Sequence, residues 1–328
     1  MKKITNQTNV IFTSMKNIFY KLPLLLLCLQ FTHCKQHQTK AIHSSEPVVF
    51  ASEMVNFQPD KRNPVFSGTH KLTWDNRIRE RGFILFENGS YKMWYTGYAG
   101  NDDDPKYLGF ATSNDGTRWI RYSNNPIFDE KWTEDMFVMK DKGIYYMYAE
   151  GKNDIAHLLT SNDGINWHEQ GDLILLTVKG DTIHGPYGTP TVFIEDDKWY
   201  LFYERNDEAI WLATSNNKII WTNVQDEPVL KKGPEVYDKG AVACNQVVKH
   251  KGKYYMYYHG SMDPNWAFPG ANSQWTSNVA ISSDLIHWTK YPKNPVIQGD
   301  HSSPIWVANG NGFRLYTMHD EVWLYHAK

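Results

Sequence analysis

Cysteine is scarce in this chain, and its scarcity excludes two kinds of protein. Of the three cysteines among 328 residues, Cys28 and Cys34 lie near the N-terminus and Cys244 alone lies in the body of the sequence. A single cysteine cannot form an internal disulfide framework, so the body is not a disulfide-stabilised scaffold. The body also lacks Cys-x-x-Cys and His-x-x-x-His pairs, which leaves it without a linear metal-binding motif.

An excess of positive charge is missing too. The 34 Lys and Arg residues are balanced by 36 Asp and Glu residues, giving a formal charge of −2, and the basic residues are scattered. Because nucleic-acid binders carry a basic patch or stripe, we expect no nucleic-acid partner. Long apolar runs are absent as well. The run Leu22–Phe31 is too short to cross a hydrocarbon core of about 30 Å as a helix.

The N-terminal segment instead has the composition of an export signal. Lys16 and Lys21 precede the apolar run, and Met15 is an alternative start of the protein. Cys34 follows the run where bacterial lipoproteins carry an acylated cysteine, although the residues before it match a lipobox poorly. The sequence therefore predicts a signal peptide over 1–34, a linker over 35–55 and one domain over 56–328. We expect an exported protein, periplasmic or anchored to the outer membrane through Cys34.

A repeated motif is the strongest positive feature. SNDGTRW ends at Trp119 and SNDGINW at Trp167, and weaker copies end at Trp221 and Trp288. These tryptophans are 48, 54 and 67 residues apart, a period typical of one four-stranded propeller blade. Asp115 and Asp163 are predicted to cap tight turns, with glycine next to them supplying the positive φ.

Aromatic strands with turn signals between them surround each motif. Five segments share this pattern, namely SYKMWYTG, GIYYMYAEG, KWYLFYERN, KYYMYYHGS and the weaker FRLYTMHD. Shorter strands precede and follow each of them. The sequence thus predicts an all-β fold, a five-bladed β-propeller with four antiparallel strands per blade. The segment around Asn63 to Thr73 is expected to pair with the last blade and close the ring.

Carboxylates recur where the blades open. The entrances of the first strands include the WD of Trp74–Asp75, WTED, GTPTVF and YDKGAV, and the exits of the second strands supply Glu150, Glu204 and His259. With these openings and the SNDGxxW turns, residues 56–328 resemble the five-bladed propeller glycoside hydrolases, the broad group containing families 43, 32, 117, 130 and 137. The resemblance implies a carbohydrate-active enzyme whose site lies at the mouth of the propeller.

Family 43 implies particular roles for three carboxyl groups. By analogy Asp75 is the base on the first blade, and Asp135, with Glu134 beside it, orients the acid and tunes its pKa. The third blade departs from the pattern, because GPYGTP carries Thr189 and no carboxylate. Glu204, at the exit of that blade, is the nearest substitute for the acid. Glycosidic cleavage requires one protonated and one ionised carboxyl group.

Further residues at the blade mouths are candidates for binding substrate. Each of them has a structural alternative, such as capping a turn, forming a surface ion pair or packing as a buried histidine. The candidates are Arg79, Glu134, Glu150, Tyr187, Arg205, Asp238, His259 and His301. The long insertion Ser261 to Ser277, which contains Trp266 and Phe268, is expected to shape a pocket. No cofactor is expected, although a structural Ca²⁺ on the propeller axis would leave no linear trace.

Two classes of function remain open. The favoured one is an exported glycoside hydrolase acting on a plant or algal oligosaccharide by carboxylate acid and base catalysis. The alternative is a non-catalytic carbohydrate-binding propeller, consistent with the missing third-blade carboxylate. Within the enzyme class, a phosphate-dependent glycoside phosphorylase would need clustered Arg, Lys or His, and Arg77, Arg79 and Arg81 make that conceivable.

Overall fold

The computed structural model describes residues 48–268, 271, 273–310 and 312–328. The predicted signal peptide with Cys28 and Cys34, and the linker up to residue 47, lie outside these described residues. Within them, the model contains no helix long and apolar enough to cross a bilayer. Strands dominate, and two short 3₁₀ helices, Ser52–Met54 and Val236–Asp238, interrupt the connections.

Five separate sheets follow one another along the chain as blades I to V, and their strands pair antiparallel except for one short parallel pair in blade III. Blade I holds β3 (Arg77–Ile78), β4 (Phe83–Glu87), β5 (Ser90–Tyr98), β6 (Tyr107–Ser113) and β7 (Ile120–Arg121). Blade II holds β8 (Glu134–Asp141), β9 (Ile144–Gly151), β10 (Ile155–Ser161) and β11 (His168–Asp172). Blade III holds β12 (Ile174–Leu176), β13 (Thr182–Ile183), β14 (Gly188–Glu195), β15 (Lys198–Arg205), β16 (Ala209–Ser215), β17 (Ile220–Asn223) and β18 (Leu230–Lys231).

Blades IV and V complete the ring. Blade IV holds β19 (Ala241–His250), β20 (Lys253–Ser261), β21 (Trp275–Ser282) and β22 (Trp288–Lys290). Blade V holds β23 (Pro304–Ala308), β24 (Phe313–Met318) and β25 (Glu321–Ala327), together with β1 (Phe57–Pro59) and β2 (Phe66–Ser67) from the start of the domain. The predicted all-β five-bladed propeller is confirmed, with short extra strands in blades I and III.

Strands from the two ends of the domain close the ring. In blade V, β25 pairs with β1 in the register Phe57↔Ala327 and with β2 in the register Phe66↔Val322. The last blade is thus built from both ends of the domain, and β1 forms its outer edge. The predicted pairing of the early segment with the last blade is present in β2, and β1 extends it upstream.

The SNDGxxW turns are capped as the sequence predicts. In the second copy, Oδ1 of Asp163 accepts hydrogen bonds from the backbone N–H groups of Ile165 and Asn166, both at 2.8 Å. Gly164 has a φ of +80°, which favours glycine. The indole of Trp94 in blade I donates to the carbonyl of Gly164 in blade II at 2.7 Å, so this turn also joins neighbouring blades.

The aromatic second strands form the core between blades. Their large side chains are almost wholly buried, including Trp94, Tyr95, Tyr148, Tyr203 and Tyr258. Since the first strands β4, β8, β14, β19 and β23 lie innermost, their entrances converge on one face of the ring. Six of the functional candidates of the sequence lie at that convergence.

Candidate active site

A cavity of about 240 Å³ lies where the inner strands begin. It is rich in carboxyl groups, which come from blades I, II and III, while blades IV and V supply aromatic rings, hydroxyls and imidazoles. The carboxyl groups are those of Glu80, Glu134, Asp135, Glu150, Asp154, Glu204 and Asp207. The other lining residues are Arg79, Thr189, His259, Trp266, Trp275, Ser302, Ser303 and His319.

Six of the residues predicted from sequence meet in this cavity. They are Arg79, Glu134, Asp135, Glu150, Glu204 and His259. Five others lie elsewhere, namely Asp75, Tyr187, Arg205, Asp238 and His301. The structure thus assembles two of the three carboxyl groups predicted to be catalytic and four of the eight residues predicted to bind substrate.

Asp75 is engaged away from the cavity and does not share a site with Asp135. Its side chain, 4% exposed, pairs with Nε of Arg121 at 3.0 Å and accepts a hydrogen bond from the hydroxyl of Tyr95 at 3.2 Å. These partners hold Asp75 as a structural ion pair in blade I. The sequence prediction that Asp75 acts as the base is therefore not supported by its position, because nothing reaching the cavity contacts it.

Asp238 repeats this arrangement in blade IV. It lies 20 residues before Tyr258, whose hydroxyl donates to it at 3.1 Å, and it pairs with Lys290 at 2.5 Å. Asp75 likewise lies 20 residues before Tyr95. Asp238 therefore lies in a structural cluster of carboxylate, tyrosine and cation outside the cavity, and its position does not support the predicted substrate-binding role.

The remaining three residues outside the cavity also make local contacts. The buried hydroxyl of Tyr187 donates to the carbonyl of Leu173 at 2.8 Å. The guanidinium of Arg205 lies over the ring of Trp211 at 5.4 Å, since strand alternation turns it away from the face that Glu204 uses. The ring of His301 packs 4.2 Å from Trp323. None of the three is placed to bind a ligand in this cavity.

Backbone strain marks the entrances of the inner strands. Arg81, Asp135, Thr189 and Ser303 all have positive φ, between 49° and 59°, although none is glycine. Left-handed backbone at non-glycine residues is uncommon and clusters at functional sites. The pairing register of β8 with β9 and of β14 with β15 breaks at these points. The bulges rotate Asp135 and Thr189 out of the ladder, and both line the cavity.

Arg81 lies buried among the inner strands and bears on the structural Ca²⁺ that the sequence analysis did not exclude. Its side chain is 1% exposed, and Nη2 donates to Oγ1 of Thr191 in blade III, which in turn donates to the carbonyl of Cys244 in blade IV. A guanidinium in this position repels a divalent cation. The residues on the axis therefore do not fit Ca²⁺, and no cluster of metal-ligating side chains is found among the described residues.

Arg79 lies between the carboxyl groups of Glu80 and Glu134. The pKa of Glu80 and the pKa of the nearby Asp135 are shifted in opposite directions. Arg79 bonds Glu134 through Nε at 3.1 Å and Glu80 through Nη2 at 3.0 Å. Burial alone would raise the pKa of Glu80, but the charges of Arg79 and His319 and a backbone hydrogen bond together lower it below its ordinary value. Desolvation raises the pKa of Asp135 well above the ordinary range, against the opposing charge of Arg81. Its Oδ1 has no hydrogen-bond partner in the described part of the chain.

A second group of carboxyls forms around the entrance of β14. The backbone N–H of Thr189 donates to Glu150 at 2.8 Å, and that of Gly188 donates to Glu204 at 2.9 Å. A β-carbon on Gly188 would lie 2.0 Å from Glu150 and 2.7 Å from Glu204, so only glycine leaves room for both. Desolvation raises the pKa of Glu150, Glu204 and Asp207. Burial thus disfavours the charged form of all three side chains.

The opposite wall carries two histidines and two serines. His259 is buried, Nδ1 lies 3.2 Å from Oδ1 of Asn245, and burial lowers the pKa of its imidazole to about 3. Oγ of Ser302 lies 3.2 Å from Nδ1 of His319. His259 is thus a neutral hydrogen-bonding group at physiological pH rather than a cation.

Sequence reasoning missed seven residues of the cavity as site residues. They are Glu80, Asp154, Asp207, Trp275, Ser302, Ser303 and His319. Glu80 lies five residues after Asp75 in the same blade entrance, and His319 directly precedes the acidic Asp320 at the exit of β24. Counting back from the inner strand of each blade, rather than seeking a carboxylate beside tryptophan, would have pointed to Glu80.

The fold and this carboxyl-lined cavity define a propeller of the glycoside hydrolase type. The sequence comparison agrees, since residues 32–180 match the family model described as glycosyl hydrolases family 32 N-terminal domain. The chain resembles the five-bladed β-propeller glycoside hydrolase superfamily in sequence and in fold, as its motifs predicted.

Individual relatives point to carbohydrate-active proteins as well. The chain is 25% identical over 230 residues to a 1,2-beta-oligomannan phosphorylase of Thermoanaerobacter sp. (strain X514), covering 65% of this chain and 74% of the relative. A glycosyl hydrolase from Bacteroides ovatus superposes with a TM-score of 0.64 at 17% identity, over 84% of this chain and 96% of the other.

Two solved structures come from proteins that act on mannosides. A β-1,2-mannobiose phosphorylase from Listeria innocua, solved with β-1,2-mannobiose, superposes with a TM-score of 0.63 at 15% identity, covering 83% of this chain and 97% of the other. Another, with a TM-score of 0.64 at 16% identity over 86% and 98%, belongs to work showing that the GH130 family of mannoside phosphorylases contains hydrolases of β-1,2-mannosidic linkages in Candida mannan. At these identities the structures establish the fold alone.

Proposed function

We propose that the protein is a glycoside hydrolase in which Asp135 donates the proton and Glu80 acts as the base. One observation carries the proposal. In one cavity, a carboxyl with a strongly raised pKa lies near a carboxyl whose pKa is lowered by Arg79. Two carboxyls whose environments separate their pKa values are the acid and base pair that glycosidic cleavage requires.

The assignment differs from the family 43 analogy in two places. Glu80 takes the role first given to Asp75, and Asp135 takes the proton-donating role first given to Glu204. Oδ1 of Asp135 has no hydrogen-bond partner among the described residues, whereas both carboxylate oxygens of Glu204 accept backbone N–H bonds, from Gly188 at 2.9 Å and from Asp207 at 2.6 Å. A carboxylate held by two N–H donors is poorly placed to donate a proton.

The substrate proposed is an oligosaccharide with a neutral sugar at its end. The sequence favours plant or algal glycans, and the names of the relatives add β-1,2-linked mannosides as the first compounds to test. Cleavage of one terminal sugar at a time fits a cavity of about 240 Å³, which is smaller than the 300–1,000 Å³ typical of larger ligands.

Phosphorolysis is the second candidate, and two relatives with phosphorylase names favour it. A phosphate would have to bind beside Arg79, His259 and His319. The charge of the cavity opposes this, because Arg79 already bonds two carboxylates and His259 is neutral. We therefore expect sugar release from oligosaccharides to proceed without phosphate, as measured by chromatography with and without added phosphate.

Replacing the proposed acid tests the enzyme directly. We expect Asp135→Asn to lower kcat by about 10²–10⁴-fold, the usual contribution of a general acid, with KM changed little. Glu130→Gln, an exposed carboxyl at the entrance of the same blade, is the matched control and should retain full activity. Full activity of Asp135→Asn would overturn the assignment. If the wild-type protein releases no sugar but is stabilised by one, the carbohydrate-binding alternative replaces the enzyme.

We also propose export, supported by the basic residues and apolar run before Cys34. Anchoring through an acylated Cys34 predicts that the wild-type protein partitions with membranes and that Cys34→Ser moves it to the soluble fraction. Recovery of the wild-type protein in the soluble fraction would contradict the lipid anchor but would not bear on the proposed activity.

A further inference from the structure

The insertion between β20 and β21 presents an aromatic wall to the cavity. Trp266 lies 5.2 Å from Trp275 in an edge-to-face arrangement, and Trp275 lies 5.6 Å from the buried ring of His259. Trp266 is half-buried, so part of its ring remains open to a ligand. Tryptophan offers a flat apolar surface with a polar edge, which suits the apolar face of a sugar ring.

The described residues of the insertion are held in place by specific contacts. The hydroxyls of Ser261 and Ser273 lie 2.6 Å apart and join its two ends. Asp263 caps the turn through the N–H of Asn265 at 2.8 Å, and a β-carbon on Gly240 would lie only 2.1 Å from its carbonyl oxygen. The wall is thus built onto the entrance of blade IV, which limits the entropy lost when a ligand binds.

The charge of the cavity limits which sugars fit. Seven carboxyl groups line it, and Arg79 is the one Lys or Arg among its described lining residues. Arg79 is already engaged by Glu80 and Glu134, at 3.0 and 3.1 Å. A ligand carboxylate would therefore enter without a free cation and close to the negatively charged Glu80, an arrangement that disfavours anionic ligands.

We infer that this cavity binds an uncharged glycosyl unit, with Trp266 as the stacking surface, and discriminates against the corresponding uronic acid. The inference rests on the proposed function for its substrate class and adds the specificity of the site. Hydroxyl groups of a neutral sugar can donate to the carboxylates, whereas a uronate would present an acceptor to acceptors. The aromatic wall and the carboxyl groups of the cavity thus both favour an uncharged sugar.

Matched sugars test the charge selection on the full-length protein. Mannose, glucose and galactose are compared with mannuronate, glucuronate and galacturonate by isothermal titration calorimetry at low salt. We expect at least one neutral sugar to bind and its uronate to bind about tenfold more weakly or not at all, a modest specificity ratio for like-charge repulsion. A uronate that binds as tightly as its neutral counterpart would overturn the inference.

Substitution of the wall tests the stacking. Trp266→Ala should weaken the neutral sugar about 3- to 10-fold and raise KM more than it lowers kcat, whereas Trp266→Phe should recover most of the affinity. Trp211→Ala, on β16 outside the cavity, is the control for loss of a half-buried tryptophan and should leave binding unchanged. Unchanged affinity in a folded Trp266→Ala protein would refute the role of Trp266.

Binding is measured without turnover, so the two proposals can fail separately. A protein that binds neutral sugars through Trp266 but cleaves nothing retains this inference and loses the proposed hydrolase. A protein that cleaves oligosaccharides with an unchanged KM after Trp266→Ala keeps the hydrolase and loses the inference.

Discussion

Several carboxyl groups in the cavity lie in surroundings that disfavour their charged form. Glu150 and Asp207 have pKa values raised well above the ordinary range by desolvation, with neighbouring carboxylates adding to the effect. Asp135 combines such a shift with left-handed backbone at φ 49°. Unfavourable features of this kind persist at functional sites because the surrounding fold holds them in place.

Glu150→Gln is therefore expected to stabilise the protein at neutral pH. The pKa of Glu150 is higher in the folded state than in the unfolded state. Ionisation of Glu150 therefore lowers the stability of the fold as the pH rises from the unfolded-state pKa toward the folded-state pKa. The amide keeps an oxygen for the N–H of Thr189 and carries no charge. We expect a Tm higher by about 2–4 °C at pH 8, roughly 1 kcal/mol for a domain of this size.

Thermal unfolding between pH 4 and pH 8 measures this effect. The gain should vanish toward pH 4, where the wild-type side chain is protonated too. Glu130→Gln, on the surface, should leave Tm unchanged throughout. A gain that is the same at both pH values would show that packing rather than ionisation is responsible.

The residue scale also explains why the sequence pointed to Asp75 rather than to Glu80, the base proposed from the structure. Asp75 and Glu80 share one blade entrance, and the sequence alone does not show which of them the chain turns toward the cavity. Arg81, directly after Glu80, has left-handed backbone, which changes the direction of the chain between β3 and β4. Asp75, in contrast, lies beside Arg121, a partner 46 residues away that no local pattern reveals.

At the scale of the element, the turn after the third strand of a blade is a repeated device. Asp115, Asp163 and Asp284 each accept two backbone N–H bonds through Oδ1, and Asn217 does the same in blade III. The neutral Asn217 shows that the turn needs an acceptor oxygen rather than a charge. This local chemistry is why the sequence sufficed to predict the blades.

Asp163→Ala should therefore destabilise the fold, whereas Asp163→Asn should nearly preserve it. We expect the alanine variant to lose about 1 kcal/mol, as for loss of a side-chain cap. Burial alone would raise the pKa of Asp163, but the N–H groups of Asn166 and Ile165 lower it. Its charge-dependent stability is present above the unfolded pKa and is lost as the pH falls through the folded pKa.

Urea unfolding of both variants at pH 7 and at pH 3 checks this prediction. The free energy of unfolding of the wild-type protein should be at least that of Asp163→Asn at pH 7. At pH 3 it should have decreased more than that of Asp163→Asn. Equal stability of the alanine and wild-type proteins would mean that the cap contributes nothing.

The inner strands, by contrast, could be placed from the sequence only approximately. Their entrances carry Arg81, Asp135 and Thr189 at intervals of 54 residues, yet the motif that defines the repeat lies at the outer end of each blade. Because the connections between the strand entrances and the SNDGxxW turns vary in length, the sequence does not show which residues of the inner strands face the cavity. The cavity residues of blades IV and V, such as Ser303 and His319, were missed for that reason.

For the whole molecule, closure depends on pairing between distant parts of the chain. β25 receives β1 and β2 from the start of the domain, and Oδ1 of Asn63 accepts a hydrogen bond from the N–H of Leu324 at 2.7 Å. Removing these partners leaves β25 as the unpaired edge of blade V. The cavity draws residues from all five blades, so an opened ring also disturbs the site.

A chain that begins at Gly68 is expected to unfold at a Tm lower by more than about 5 °C, which corresponds to roughly 2 kcal/mol in a domain this large. A chain that begins at Val48 retains both closing strands and serves as the control. Calorimetry of the two proteins measures the difference. Equal Tm values would show that blade V closes the ring without β1 and β2.

The same closure makes the order of the blades along the chain unimportant to the cavity. Because Phe57 pairs with Ala327 and the N–H of Lys328 donates to the carbonyl of Asn56 at 3.0 Å, the first and last segments are neighbours in space. A gene rearranged to start in the connection between two other blades would encode the same walls, provided a short linker joined the present ends. The site is thus a property of the ring, and circular permutation should preserve it.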